Sequence, residues 1–165
     1  MMKNLFQILC GLFLVVSYSS CMHSEEDKVD VLIIGGGASG VTSGIQSARM
    51  GANTLILEES TWLGGMLTSA GVSAVDGNYR LPAGLWGEFK NRLSDYYGGL
   101  DSLKTGWVSN VLFEPSVGNK ILHEMVAAEN NLKVWKQACL EEVKRTGDEW
   151  VAKVKVEGLG VKTVR

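Results

Sequence analysis

The chain has 165 residues, of which 45% are hydrophobic, and its formal net charge is −2 at pH 7. This length allows one ordinary domain, and the apolar fraction is sufficient for a packed core. Lysine and arginine are spread along the chain, which excludes the basic patch of a nucleic-acid-binding protein. The two histidines, His23 and His123, lie far apart, so no histidine cluster for a metal is expected.

The first 21 residues are typical of a secretory signal peptide. Lys3 supplies a positive charge, and an apolar run follows from Leu5 to Val16. This run is shorter than the roughly 20 residues that a membrane-spanning helix requires. Residues 1–21 are therefore interpreted as a signal segment that directs the chain to the cell envelope.

The end of this segment resembles the lipobox of bacterial lipoproteins, because two serines precede Cys21 and an acidic tether follows over residues 22–28. The resemblance implies a lipid on Cys21 that anchors the protein to a membrane, as in outer-membrane lipoproteins. Ordinary secretion or release into the periplasm is the alternative. Removal of the signal leaves Cys139 as the remaining unmodified cysteine, which predicts neither a disulfide nor a cysteine metal site.

A strand, a glycine turn and a helix are predicted at the start of the mature domain. The apolar run over residues 29–34 predicts a strand buried on both faces, because it hardly alternates with polar residues. Gly35, Gly37 and Gly40 follow in the spacing G-x-G-x-x-G, and residues 41–50 predict a helix. This order is the context that a dinucleotide-binding turn requires.

Each glycine of this turn has a physical role in dinucleotide binding. The first permits the tight turn, the second lets a pyrophosphate approach the backbone, and the third lets the helix pack on the strand. The helix N-terminus presents unpaired N–H groups and a positive dipole end to the phosphates. The candidate phosphate-binding residues are Gly35, Gly36, Gly37, Ala38, Ser39 and Gly40.

A second apolar strand over residues 54–57 ends in Glu58 and completes a βαβ unit. A carboxylate at this position can accept hydrogen bonds from both ribose hydroxyls of an adenosine. Glu58 and the adjacent Glu59 are therefore candidate cofactor residues, and a solvated acid at a strand end is the alternative. No arginine adjoins Glu58 to bind a 2′-phosphate, which disfavours NADP.

A second glycine pair, Gly64–Gly65, follows Glu58 and precedes Met66. The joint pattern D-V-L-I-I-G-G-G-x-S-G, L-x-L-E and L-G-G-M-L-T resembles the FAD-dependent oxidoreductases of the glutathione-reductase-like, two-dinucleotide-binding fold. The resemblance implies FAD as the cofactor, with a ribityl chain that passes close to the backbone at Gly64, Gly65 and Met66. An NAD-dependent enzyme of the same sheet type is the alternative, and the second glycine pair favours FAD.

The next segment is predicted to be loop-like up to residue 85. The resemblance places it near the flavin ring, where Tyr79 and Arg80 either contact flavin or substrate or remain at the surface. Two amphipathic helices follow, over residues 85–97 and 117–130. Their core-facing stripes are Leu85, Trp86, Phe89, Leu93 and Tyr96, and Val117, Ile121, Met125 and Ala128. His123 lies off the second stripe and is expected to be solvated.

A third parallel strand is predicted over residues 132–135, and a hairpin over residues 140–145 and 149–156. The hairpin resembles the β-meander of the same family. Thr146-Gly147-Asp148 is interpreted as the hairpin turn, although flavoproteins use a T-G-D motif at the flavin ribose.

The resemblance also implies that the backbone near Ala138 and Cys139 passes the adenine of the cofactor. The Cys139 side chain is expected to be a small buried hydrophobe rather than a nucleophile.

The predicted fold is α/β, a Rossmann-like three-layer domain of parallel sheet, helices and small β-meander over residues 29–165. The resemblance implies that the chain is the N-terminal part of a longer protein, incomplete at its C-terminus and without the substrate domain. The implied function is FAD-dependent oxidation or reduction of a small or carbohydrate-like substrate in the cell envelope. A truncated envelope lipoprotein that binds a ligand without turnover is the second alternative. Catalytic residues and oligomeric state are not predicted.

Overall fold

The computed structural model describes residues 26–107 and 109–165. The predicted signal segment, Cys21 and residues 22–25 of the tether lie outside the described residues. Within the described ranges, no helix combines the length and the apolar character needed to cross a membrane.

Strands and helices alternate in the first part of the chain, and strands alone form the last part. The strands are β1 (Val31–Ile34), β2 (Thr54–Glu58), β3 (Ala74–Val75), β4 (Val111–Leu112), β5 (Leu132–Lys136), β6 (Ala138–Thr146), β7 (Glu149–Val156) and β8 (Gly160–Val164). The helices are α1 (Ala38–Arg49), α2 (Gly84–Tyr97) and α3 (Pro115–Ala127). Short 3₁₀ turns cover Gly65–Leu67 and Leu100–Leu103.

A parallel three-stranded sheet in the order β1–β2–β5 lies at the centre of the domain. Strand β2 is buried up to Glu58, because it has a neighbour on each side and is covered on both faces. Ile56 belongs to the cluster formed with the helices, whereas Leu55 and Leu57 belong to the cluster formed with the other three-stranded sheet. The predicted three-layer α/β architecture is confirmed.

The helical layer covers one face of the parallel sheet. The buried side of α1 is formed by Val41, Gly44, Ile45 and Ala48. Arg49, at the end of α1, joins the helices through ion pairs with Glu88 of α2 at 2.9 Å and with Glu129, which follows α3, at 2.7 Å. These pairs link all three helices through one guanidinium.

The other face of the parallel sheet is covered by an antiparallel meander of β6, β7 and β8. Thr146 pairs with Glu149, so Gly147 and Asp148 form the turn between β6 and β7. Gly147 has a φ of +64°, as a tight hairpin turn requires. The interpretation of T-G-D as a hairpin turn is confirmed, and β8 is a third strand that the sequence did not predict.

The prediction that β1 is buried on both faces is wrong. Ile34 is 55% exposed, and the other three residues of β1 are partly exposed. The reason is that β1 is an outer strand of the sheet and borders a groove of about 610 Å³. Apolar side chains that line this groove include Leu32, Ile34, Val143, Trp150 and Val164.

Two members of the predicted core stripes also lie elsewhere. Tyr96 is 52% exposed, and Tyr97 packs against the core in its place, since it lies one turn beyond the buried Leu93. Ala128 is exposed because α3 ends at Ala127 and the chain turns away there.

Two further burial predictions are wrong. Cys139 is exposed, since the alternation of β6 turns Ala138 and Leu140 inward. His123 is half-buried rather than solvated, and its burial, followed by the positive charge of Lys136, lowers the pKa of the imidazole.

Candidate cofactor-binding site

The candidate site lies at the carboxyl ends of β1 and β2, which run side by side in parallel. Gly37 is the N-cap of α1, and the first turn of this helix has no acidic residue and no side-chain cap. Val41 donates the first hydrogen bond of the helix to the carbonyl oxygen of Gly37 at 2.9 Å. The N–H groups of residues 38–40 therefore lack intrahelical acceptors, and together with the helix dipole they favour an anion.

The two ends of the glycine turn differ in the space around them. A Cβ atom on Gly40 would lie 1.9 Å from the carbonyl oxygen of Gly35, so helix and strand approach each other too closely for a side chain there. A Cβ atom on Gly37 would meet no atom within 4 Å. The turn is therefore close-packed at Gly40 and open at Gly37, the position at which the sequence motif predicts the approach of a pyrophosphate.

The Glu58 carboxylate is held beside this turn by two backbone donors. The N–H of Gly36 donates to Oε2 at 2.7 Å, and the N–H of Ser60 donates to Oε1 at 2.8 Å. A carboxylate accepts about four hydrogen bonds, so each oxygen keeps capacity for a second donor. These two bonds hold the Glu58 carboxylate in place at the end of β2, where it can accept hydrogen bonds from the hydroxyl groups of a ribose.

The second glycine pair lies directly against the first. The N–H of Gly64 donates to the carbonyl oxygen of Gly36 at 2.8 Å, and Gly64 forms a parallel bridge with Gly37. Gly64 has a φ of +105°, which favours glycine, and a Cβ atom on Gly65 would lie 3.1 Å from Cα of Gly37. The structure thus brings together the two glycine segments that the sequence identified separately.

Two side chains that the sequence analysis missed hold the second glycine segment. Asn119 of α3 accepts a hydrogen bond on Oδ1 from the N–H of Leu63 at 2.9 Å. The buried Thr68 donates from Oγ1 to the carbonyl oxygen of Leu63 at 2.5 Å. An asparagine inside a helix was an available signal, because that residue is unfavourable there unless its side chain is bonded.

A cleft of about 210 Å³ opens at the same strand ends. Its lining residues are Ile34, Gly35, Leu57, Glu58, Glu59, Ala138 and Leu140. Apolar walls with a carboxylate at one side suit an adenosine, whose base has flat faces that pack on apolar side chains and whose ribose carries hydroxyl groups.

The remaining candidates occupy different places relative to the cleft. Glu59 lines it, whereas Cys139 does not, since its neighbours Ala138 and Leu140 do. Met66 is 68% exposed in the 3₁₀ turn that follows Gly64. The described residues contain no group of three or more histidine, cysteine, aspartate or glutamate side chains that could hold a metal.

These features fit one kind of cofactor. The uncapped helix end and the open space at Gly37 suit a pyrophosphate, Glu58 suits a ribose, and the adjoining second glycine segment continues the path beyond the phosphates. The fold and this site define a Rossmann-like dinucleotide-binding domain of the flavoprotein class.

The chain belongs to the FAD dependent oxidoreductase family, since the sequence model of that family matches residues 30–165. FAD is accordingly the cofactor, as the joint glycine pattern predicted. A comparison with curated protein sequences found no match.

Solved structures with the same fold are distant in sequence. A flavoprotein/dehydrogenase from Cytophaga hutchinsonii has a TM-score of 0.59 at 16% identity, over 84% of this chain and 37% of that chain. A geranylgeranyl bacteriochlorophyll reductase-like protein from Thermoplasma acidophilum has a TM-score of 0.56 at 17% identity, over 85% and 38%. The p-nitrophenol 4-monooxygenase PnpA from Pseudomonas putida has a TM-score of 0.55 at 14% identity, over 84% and 39%. The chain therefore spans well under half the length of these structures.

Proposed function

We propose that this chain binds FAD at its two glycine segments and serves as the FAD-binding part of an oxidoreductase. The observation that carries the proposal is the position of Glu58, whose carboxylate lies beside Gly36 at the same sheet edge as the uncapped N-terminus of α1. The family match over residues 30–165 supports the choice of cofactor.

Successive parts of FAD are assigned to different residues of the site. The pyrophosphate lies against the N–H groups of residues 37–40, and Glu58 accepts hydrogen bonds from the adenosine ribose. The adenine occupies the cleft that Ala138 and Leu140 line. The ribityl chain passes Gly64–Gly65, where the absence of side chains lets it approach the backbone.

The flavin, when bound, supplies the capacity to accept and donate electrons, and the protein supplies binding and orientation. Within this chain, Glu58 fixes the ribose, and the first turn of α1 compensates the negative charge of the phosphates. The substrate in this proposal is a small or carbohydrate-like molecule, an expectation that comes from the family resemblance.

The main alternative is an NAD-dependent enzyme of the same sheet type. The contact between Gly64 and the Gly36–Gly37 turn favours FAD, because a second open segment beside the phosphates suits a cofactor that extends past them.

A competition experiment distinguishes the two cofactors. FAD should bind the purified chain and quench its tryptophan fluorescence, and excess NAD should not reverse the quenching. Displacement of FAD by NAD at similar concentrations would contradict the proposal. A second test adds sugars and organic acids to the full-length protein with FAD bound. If none of them reduces the FAD, the alternative of a binding protein without turnover is favoured.

We further propose that the protein is exported and anchored through a lipid on Cys21. The support is the order of signal-like segment, serines, cysteine and acidic tether in residues 1–28. In a bacterial host, labelled palmitate should be incorporated into the full chain and not into Cys21→Ser. Equal labelling of both would contradict the anchor, and an unprocessed cytoplasmic product would contradict export.

A further inference from the structure

The end of the acidic tether is bonded to the backbone of the meander. Asp27 forms a parallel bridge with Val164 of β8. The N–H of Asp27 donates to the carbonyl oxygen of Thr163 at 3.1 Å, and its own carbonyl oxygen accepts from the N–H of Arg165 at 2.9 Å. The N–H of Val29 donates to the carbonyl oxygen of Arg165 at 2.8 Å. This stretch therefore runs along β8 and is not a free linker.

Two ion pairs add to this attachment. The Nε of Arg165 donates to Oε2 of Glu26 at 2.7 Å. The ammonium of Lys133, on β5, lies 3.9 Å from the carboxylate of Asp27. The tether is thus connected to both three-stranded sheets. Pairing of its two acids with cations also reduces the repulsion that bare carboxylates would meet at an anionic membrane surface.

The tether joins the domain at the edge of the parallel sheet that lies opposite the cofactor site. Strands β1, β2 and β5 begin at this edge, where Val31 pairs with Thr54 and Thr54 pairs with Leu132. Helix α1 ends at the same edge, since Nδ2 of Asn131 donates to the carbonyl oxygen of Ala48 at 2.8 Å. We call this the amino edge, and the opposite edge, with the candidate site, the cofactor edge.

The distances along the chain are short compared with the domain. Residues 22–25, which lie outside the described residues, are all that separates Cys21 from Glu26. Even a fully extended chain places Glu26 within about 18 Å of Cys21. Helix α1 has 12 residues and separates the two edges by about 18 Å from Gly37 to Met50.

We propose that the amino edge of the parallel sheet is the surface that faces the lipid bilayer and that the cofactor edge points away from it. The short tether, fixed to β8, leaves the domain little freedom to turn over. A substrate that reaches the cofactor edge then comes from the aqueous phase and not out of the lipid. The orientation rests on the proposed lipid on Cys21 and requires no bound FAD.

The test measures energy transfer from two positions of the full chain to the membrane. The chain carries Cys139→Ser, so that an introduced cysteine is the free thiol once Cys21 is lipidated. After expression in a bacterial host, the lipidated protein is added to phospholipid vesicles whose headgroups carry an acceptor dye. A donor dye is attached through Met50→Cys at the amino edge, where the side chain is 80% exposed, or through Val72→Cys.

Val72 marks the cofactor edge. It is 50% exposed, and its N–H donates at 3.0 Å to the carbonyl oxygen of Met66, which follows the second glycine pair. We expect transfer from the Met50 position to exceed that from the Val72 position about twofold or more, because the cofactor edge lies about 18 Å farther from the bilayer. A control chain with about twenty glycine and serine residues inserted after Ser24 gains a flexible segment of about 25 Å and should lose most of this difference.

The outcomes separate the orientation from the anchor. A purified chain without lipid overturns the anchor and the orientation with it. Equal transfer from both positions of a lipidated chain, or greater transfer from the Val72 position, overturns the orientation and leaves the anchor in place. An undiminished difference in the chain with the longer tether contradicts the role of the tether. Circular dichroism of each labelled chain verifies that the fold is intact.

Discussion

At the scale of single residues, Gly37 and Gly40 belong to one motif but constrain the molecule differently. A side chain at Gly37 would extend into open space, and the φ of −64° at this position is one that any residue adopts. Gly40, in contrast, has no room for a Cβ atom. We expect Gly37→Val to retain the thermal unfolding midpoint and to lose FAD binding, since the valine occupies the space of the pyrophosphate. Gly40→Ala should lower the midpoint itself. A Gly37→Val chain that binds FAD with unchanged affinity would contradict the proposed phosphate position.

Glu58 is the residue whose removal should weaken the adenosine end of the site. Glu58→Ala removes charge-assisted hydrogen bonds to the ribose, so we expect FAD affinity to fall by about 1–3 kcal/mol. The substitution also leaves the N–H groups of Gly36 and Ser60 without their acceptor, so unfolding must be measured alongside affinity. Glu141→Ala, an exposed acid on β6, is the control. An equal loss of affinity in both variants would point to net charge instead of ribose binding.

Helix α3 carries His123, a half-buried group that makes the stability of the fold depend on pH. Burial, and then the charge of Lys136, lowers the pKa of this imidazole in the folded protein below its unfolded value of about 6.5. The unfolded chain therefore binds the proton more tightly, and stability should fall as the pH drops below about 6.5. Tm should therefore fall less in His123→Asn than in the unsubstituted chain when the pH is lowered from about 8 to about 5.5. An unchanged difference would show that His123 is not its source.

Most helices and strands could be predicted from the sequence, because the spacing of apolar residues within a segment indicates its secondary structure. Strand β2, helix α1 and the turn at Gly147 each follow from neighbouring residues. The bonds of Asn119 and Thr68 to Leu63 could not be predicted in the same way, since α3 reaches the glycine segment only through tertiary packing. The exposure of Ile34 was missed for a related reason: an apolar run does not reveal whether its strand is central or at an edge.

In the molecule as a whole, the three layers leave an apolar groove open beside β1. The groove beside β1 exposes large side chains, among them Trp150 at 61%. Exposed apolar surface next to an outer strand favours association between chains. We expect Trp150→Gln to reduce self-association in light scattering. Met50→Gln, which removes an 80% exposed residue at the end of α1, should not. Equal effects of both variants would mean that the groove has no special part in association.

The two glycine segments and Glu58 are proposed to hold FAD together. The most direct test is the visible absorption spectrum of the purified chain, residues 22–165, after incubation with FAD and gel filtration. We expect flavin absorption bands that elute with the protein and are absent from Gly37→Val. A folded chain, verified by circular dichroism, that elutes colourless would contradict it.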